Sequence, residues 1–180
     1  MSILAAIIMP VTLQAKQASK KTQCLSNLHQ IGAATMLYVG DYDDRLPAAI
    51  DAWARYLVDV FPYDPTIPGA NVVLRPYAGA KQVFACPADR GARRTGIPAY
   101  VENFYDLVGS SYTFPKLPRG LPLASIADSS KTVYSSDCAP AWHAVDDKNL
   151  FQSRRSWLFL DGHVKFGPDP GPDSHITDEP

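Results

Sequence analysis

The sequence predicts an α+β fold in which one long N-terminal helix packs against a small antiparallel sheet. Residues Ile3 to Val39 contain one proline, one glycine and no acidic residue, a composition that favours a single helix. Beyond the helix, short stretches alternate between apolar and polar residues, as strands do. All but one of the 16 prolines also lie beyond the helix, which predicts proline-rich loops between the strands. Residues 1–40 are therefore expected to form a stem, residues 41–167 a globular head, and residues 168–180 a disordered tail.

The predicted helix has two halves of different character and a length of about 55 Å. Residues 3–13 are apolar almost all round, whereas residues 14–39 are amphipathic, with a basic group around Lys20 and Lys21 between the halves. The amphipathic half places a stripe on one face: Cys24, Leu28, Ile31, Thr35 and Tyr38. This pattern is typical of a stem that leaves a membrane or filament core and then packs on a domain.

The apolar run of residues 3–13 is shorter than the roughly 20 residues that a membrane-spanning helix needs. It also lacks the charged leader and cleavage site of a signal peptide. We therefore expect that the sequence begins inside a longer apolar segment. The alternative is an ordinary buried helix.

The head begins with helical segments that local patterns predict. Gly40 suits the position just after the end of a helix. A short amphipathic helix is expected from Ala52 to Phe61, with Asp51 as its N-cap, and a further helical turn from Val72 to Ala78. The strands are expected next, at Ser110–Phe114, Thr132–Asp137, Ser156–Leu160 and His163–Phe166.

The last two strands are predicted to form a hairpin. Asp161-Gly162 lies between two alternating apolar runs, which favours a two-residue type I′ turn with positive φ at both residues.

Four segments near the N-terminus are distinctive: Ile3-Leu-Ala-Ala-Ile-Ile-Met-Pro10, Gln14-Ala-Lys16, Thr22-Gln-Cys-Leu-Ser-Asn-Leu-His-Gln-Ile-Gly32 and Tyr38-Val-Gly-Asp-Tyr-Asp-Asp-Arg-Leu-Pro47. Together they resemble the N-terminal helix of bacterial type IV pilin-like proteins. More narrowly, they are similar to type II secretion pseudopilin-like proteins described as prepilin-type processing-associated, with an H-X9-DG motif.

The resemblance extends to the hairpin but not to the whole C-terminal motif. Leu158-Phe-Leu-Asp-Gly-His-Val-Lys165 matches its second half. The motif histidine is replaced by Phe151, and His143 lies 18 positions before Asp161, out of register. The prepilin peptidase site and the stem glutamate of the family would lie upstream of Met1.

The resemblance implies a structural role and no catalysis. Apolar stems of sister subunits would assemble into a type II secretion or type IV pilus-like filament, after residence in the inner membrane with the head in the periplasm or outside the cell. The expected assembly residues are Ile3, Leu4, Ile7, Ile8, Pro10, Val11 and Leu13. Pro10 corresponds to the stem proline of pilins and removes one helical hydrogen bond.

Two other functions remain open. One is a surface-binding or adhesin domain that uses the stem only as a tether, and the other is a soluble metal-dependent enzyme with a long helix. A net charge of −1 argues against a nucleic-acid partner.

The three cysteines predict one disulfide if the head lies outside the cytoplasm. We expect Cys24 to pair with Cys86, because this bond would attach a head loop to the stem. The alternative is three unpaired buried cysteines, including Cys138. Zinc is not expected, since the sequence contains neither a CxxC motif nor a closely spaced Cys-His pair.

Candidate metal and acid–base residues are few. Asp137, His143, Asp161 and His163 are expected to meet near one end of the sheet, where carboxylate and imidazole suit a metal or proton transfer. A calcium ion at Asp137 and Asp161 is the one cofactor considered, since some related pseudopilins carry structural calcium. The other interpretation of Asp161 is as a turn residue. Asp41, Asp43 and Asp44 are interpreted as a solvated turn, and the basic loop Asp89–Gly96 as a solvated loop.

Overall fold

A computed structural model of the chain describes residues 2–56, 64, 66–91, 101–117, 120–139, 142–143 and 154–176, without the side chains of residues 2–8, 55 and 56. Several predictions fall outside these residues. They are the end of the helix predicted from Ala52, most of the loop that begins at Asp89, the position of Phe151, and residues 177–180 of the tail.

The first element is the predicted long helix, α1, which runs from Ser2 to Asp41 and continues through Pro10. Its end differs from the expectation, because Gly40 lies inside the helix. Asp43 and Asp44 instead take positive φ angles of 51° and 55°, and the Asp44 N–H donates to the Val39 carbonyl at 3.1 Å. Aspartate tolerates this left-handed conformation better than most residues, so the aspartate pair ends the helix.

The predicted stripe of α1 is the face that packs. Cys24, Leu28, Ile31, Thr35 and Tyr38 are all buried. The helix approaches the sheet closely at Gly32, where an added Cβ would lie 2.9 Å from Leu158 Cδ1. A small residue is needed there for the two layers to meet.

Four antiparallel strands form the sheet in chain order: β1 (Tyr112–Thr113), β2 (Val133–Asp137), β3 (Arg155–Phe159) and β4 (Val164–Gly167). The α+β prediction is confirmed, and each strand lies within one residue of its predicted range or inside it. In β3 the alternation of side chains separates two clusters. Leu158 packs in the main core against α1, whereas Trp157 and Phe159 pack with Val133 on the other face.

The β3–β4 hairpin forms at the predicted place but with a different turn. Phe159 N donates to the His163 carbonyl at 2.9 Å, and Gly162 N donates to the Phe159 carbonyl at 3.0 Å. The loop therefore contains three residues, and only Gly162, with φ of 91°, is left-handed. This is the arrangement of a type I turn followed by a glycine bulge, so the type I′ prediction is wrong. The longer loop allows Leu160 to be buried while its N–H donates to the Thr132 carbonyl at 2.9 Å.

The head also contains four short helices: α2 (Ala52–Tyr56), α3 (Ala70–Val73), α4 (Arg75–Ala78) and α5 (Phe104–Val108). Of these, α4 packs against α1, while α2 contacts α5. Asp51 accepts a hydrogen bond from Trp53 N at 3.2 Å, as expected of an N-cap. The helix α5 was not predicted. Part of the predicted disordered tail is packed, since Pro172–Ser174 forms a 3-10 helix and His175 bridges to Val133.

Candidate functional site

The described part of the predicted assembly segment is bare. Met9, Val11 and Leu13 are 71%, 60% and 58% exposed. The other predicted assembly side chains, those of Ile3, Leu4, Ile7 and Ile8, lie outside the described atoms, and Pro10 is exposed within the helix. None of the helices in the described part of the chain is apolar over enough residues to cross a membrane.

A cavity of about 350 Å³ lies between residues 14–21 of α1 and the head, next to the exposed apolar end of the helix. Its lining is mainly polar and includes Gln17, Lys20, Lys21, Asp89, Arg90 and His143. The predicted basic group of the stem therefore faces the head across this cavity.

The disulfide between Cys24 and Cys86 is present, as predicted. It joins the stem to the loop that follows a 3-10 helix at Lys81–Phe84. A hydrogen bond strengthens the same attachment, since Asn27 Nδ2 donates to the Ala85 carbonyl at 2.8 Å. Cys138 lies buried outside this disulfide.

Beside the disulfide lies a buried carboxylate–imidazole pair, Asp137 and His143. His143 Nε2 is 3.5 Å from Asp137 Oδ2 and 3.6 Å from Cys86 Sγ. Trp142 Nε1 donates to the Gly91 carbonyl at 3.0 Å, which positions the backbone next to His143.

Burial dominates the protonation of this pair. Desolvation raises the pKa of Asp137 to about 6, although hydrogen bonds from Ser156 act to lower it. Desolvation also lowers the pKa of His143 to about 4, with the nearby charges of Lys21, Arg90 and Lys20 adding to the effect. At neutral pH the imidazole is therefore uncharged, and one of its two ring nitrogens carries a lone pair.

The predicted four-residue constellation forms only in part, since Asp137 meets His143 whereas Asp161 and His163 lie elsewhere. Asp137 adjoins the start of β3, where its Oδ2 accepts from Ser156 N at 2.8 Å. Asp161 follows the other end of β3, roughly 15 Å away at about 3.3 Å per strand residue. The two aspartates considered for calcium therefore cannot share one ion, and Asp161 with Gly162 serves as the hairpin turn. His163 stays with Asp161, its Nδ1 2.6 Å from Asp161 Oδ1.

The sequence did not reveal one contact in this region or the role of one residue, Asp89. The proximity of Cys86 and His143, 57 residues apart, has no signal in local spacing. Asp89 was assigned to a solvated loop, yet its carboxylate accepts hydrogen bonds from the N–H groups of Phe104 and Tyr105 and from the Ser111 hydroxyl. The only signal in the sequence for this role of Asp89 was a Cys-Pro-Ala-Asp turn directly after an apolar stretch.

No protein-family model, curated protein or solved structure matches this chain.

Proposed function

We propose that this chain is a structural pilin-like subunit that assembles through its apolar N-terminal helix into a type II secretion or type IV pilus-like filament. The observation that supports this most is the contrast within α1. Its second half buries a stripe in the head, while Met9, Val11 and Leu13 are bare in the half before it.

The arrangement of the bare residues favours a bundle over a single partner surface. Met9 and Leu13 are four residues apart and share one face of the helix, whereas Val11 lies about 200° around it. Exposed apolar groups gain free energy when they leave water. Several sister stems, or lipid before assembly, would cover both faces at once.

The disulfide favours a head that matures in an oxidising compartment. The Cys24–Cys86 bond adds a second covalent connection between the stem and the head, besides the backbone, so force along a filament of stems would reach the heads through both. A periplasmic or extracellular head on an inner-membrane stem fits both features, and the partners are other pilin-like subunits.

Sedimentation of the whole chain in mild detergent tests the proposal. The wild-type chain is expected to form oligomers, and Leu13→Asp is expected to shift them to monomers, because a charge in the stem bundle is costly to desolvate. Leu37→Asp is the matched control, since Leu37 is a leucine of the same helix with 59% exposure.

Two results would contradict the proposal. A wild-type chain that stays monomeric in detergent and in vesicles at every concentration would favour the tethered binding domain. If Leu13→Asp and Leu37→Asp changed the oligomers to the same extent, association would depend no more on the apolar end of the stem than on the rest of α1.

A further inference from the structure

The region around the disulfide contains four metal-ligating side chains from distant parts of the chain. Cys24 comes from α1, Cys86 from the loop after the 3-10 helix, and Asp137 from the end of β2, while His143 follows in the next described segment. One ligand atom from each lies within 4.8 Å of all the others. We propose that, when the Cys24–Cys86 disulfide is reduced, these four residues bind one zinc ion.

The distances suit tetrahedral zinc. Zinc–sulfur bonds of about 2.3 Å and zinc–nitrogen bonds of about 2.0–2.1 Å place neighbouring ligand atoms roughly 3.3–3.8 Å apart. His143 Nε2 already lies 3.6 Å from Cys86 Sγ and 3.5 Å from Asp137 Oδ2. Opening the disulfide lets the two sulfurs separate to the remaining corners. Two thiolates, one imidazole and one carboxylate are all ligands that zinc accepts.

The carboxylate that faces the cluster has one unsatisfied oxygen, Oδ1, while its other oxygen, Oδ2, lies 3.5 Å from His143 Nε2. Asp137 is fully buried, and its Oδ1 has no hydrogen-bond partner among the described residues. A buried carboxylate oxygen without a partner is costly, so a cation next to this carboxylate would remove the cost. Asp137 Oδ2 is meanwhile held by Ser156 N, which orients the carboxylate towards His143.

The charges around the cluster are compatible with the loaded site. Two thiolates, one carboxylate and Zn²⁺ carry a net charge of −1. Lys20, Lys21 and Arg90 lie close enough to act electrostatically on His143, and all three line the cavity that reaches this histidine. At neutral pH the disulfide form also carries one negative charge here, on Asp137, so reduction and zinc binding leave the net charge of the cluster unchanged. The same cavity gives the metal a route to His143.

The chemistry balances with a reductant of the thiol or phosphine class. Two electrons and two protons convert the disulfide to two thiols, while the reductant is oxidised to a disulfide or a phosphine oxide. Zinc then replaces the two thiol protons, which are released to solvent. Because a disulfide sulfur is not a thiolate, the oxidised chain lacks two of the four ligands, so the metal and the disulfide exclude each other. This inference does not depend on the proposed filament role.

Cobalt(II) is the probe for the test, because tetrahedral thiolate coordination gives it strong visible absorption. The whole chain is reduced with a phosphine, freed of reductant without air and titrated with cobalt, which zinc then displaces. One equivalent is expected to bind the reduced chain and none the disulfide form. His143→Ala and Asp137→Ala are each expected to weaken binding by more than the 10–100-fold typical of outer-shell changes.

Cys138→Ser and His163→Ala are the matched controls. Each removes a metal-binding side chain outside the cluster, and both variants are expected to bind with unchanged affinity. Loss of binding in Cys138→Ser, or unchanged binding in His143→Ala, would overturn the assignment.

Circular dichroism during the titration covers the case in which reduction loosens the fold. Zinc is then expected to restore the folded signal, since binding and folding are coupled. A reduced chain that binds no zinc, folded or unfolded, would also refute the proposal.

Discussion

At the scale of single residues, Asp137 and His143 affect stability in opposite directions as pH changes. The folded-state pKa of Asp137 is raised from 3.8 to about 6, so between these values the folded chain holds a proton that the unfolded chain has lost. Stability from this group is full below pH 3.8 and falls as pH rises to about 6. The pKa of His143 is lowered from 6.5 to about 4, so the unfolded chain binds the extra proton and stability rises with pH over that window. The two slopes largely cancel.

Replacing Asp137 with asparagine is expected to expose this balance. At about pH 4.5 the wild-type carboxyl is protonated in the folded state and resembles the amide, whereas at pH 7 it is a buried charge. The free energy of unfolding of Asp137→Asn minus that of wild type is therefore expected to be about 2 kcal/mol more positive at pH 7 than at about pH 4.5. Urea unfolding of the disulfide form, with a chelator present, measures the difference.

Asp128→Asn provides the control for this pH comparison. Asp128 is partly exposed and hydrogen-bonded to Ser130, and its pKa is lowered to about 2. Asp128 is ionised in the folded state at both pH values and nearly so in the unfolded state. The difference in free energy of unfolding between Asp128→Asn and wild type should therefore change little with pH. A flat difference for Asp137→Asn as well would show that the buried carboxyl does not titrate between pH 4.5 and 7.

At the scale of elements, the stem helix combines two environments that its sequence pattern distinguishes. Leu28 is completely buried against the head, while Leu37, on the same helix, is 59% exposed. Leu28→Ala is expected to lower the free energy of unfolding by about 2–5 kcal/mol, because it removes packed methyl groups and leaves a cavity. Leu37→Ala is expected to change it by less than about 0.5 kcal/mol. Equal effects in urea unfolding would mean that the stripe of α1 is not the packed face.

Element types were predictable from the sequence because their signals are local. The repeat of Leu28, Ile31 and Thr35 marks a helical face within two turns, and the alternation in Ser156–Leu160 marks a strand within five residues. Turn details were less predictable. Asp161-Gly162 suits both a two-residue and a three-residue loop, and the choice depends on whether Leu160 is buried. That depends on a contact with Thr132, 28 residues earlier in the chain.

At the scale of the whole molecule, the cluster at the disulfide depends on tertiary structure. Its four side chains come from the stem, a loop, the end of a strand and the segment after it, and no spacing in the sequence joins them. The Cys24–Cys86 pair was predictable only because there are three cysteines and one lies on the packed stripe of the stem. His143 lacked such a constraint, so the sequence grouped it correctly with Asp137 but also with Asp161 and His163, which lie at the other end of β3.

The division into stem and head makes a prediction for the whole chain. Removal of residues 2–13 is expected to leave the free energy of unfolding within about 0.5 kcal/mol of wild type, since the side chains of Met9, Val11 and Leu13 are largely exposed. The same deletion should abolish oligomers in detergent. Urea unfolding measures the first effect and sedimentation the second. Leu28→Ala gives the decrease in the free energy of unfolding that truncation of a core side chain causes. If the deletion destabilised the chain as much as Leu28→Ala, the apolar segment would be part of the core, and a soluble protein with a long buried helix would be the better description.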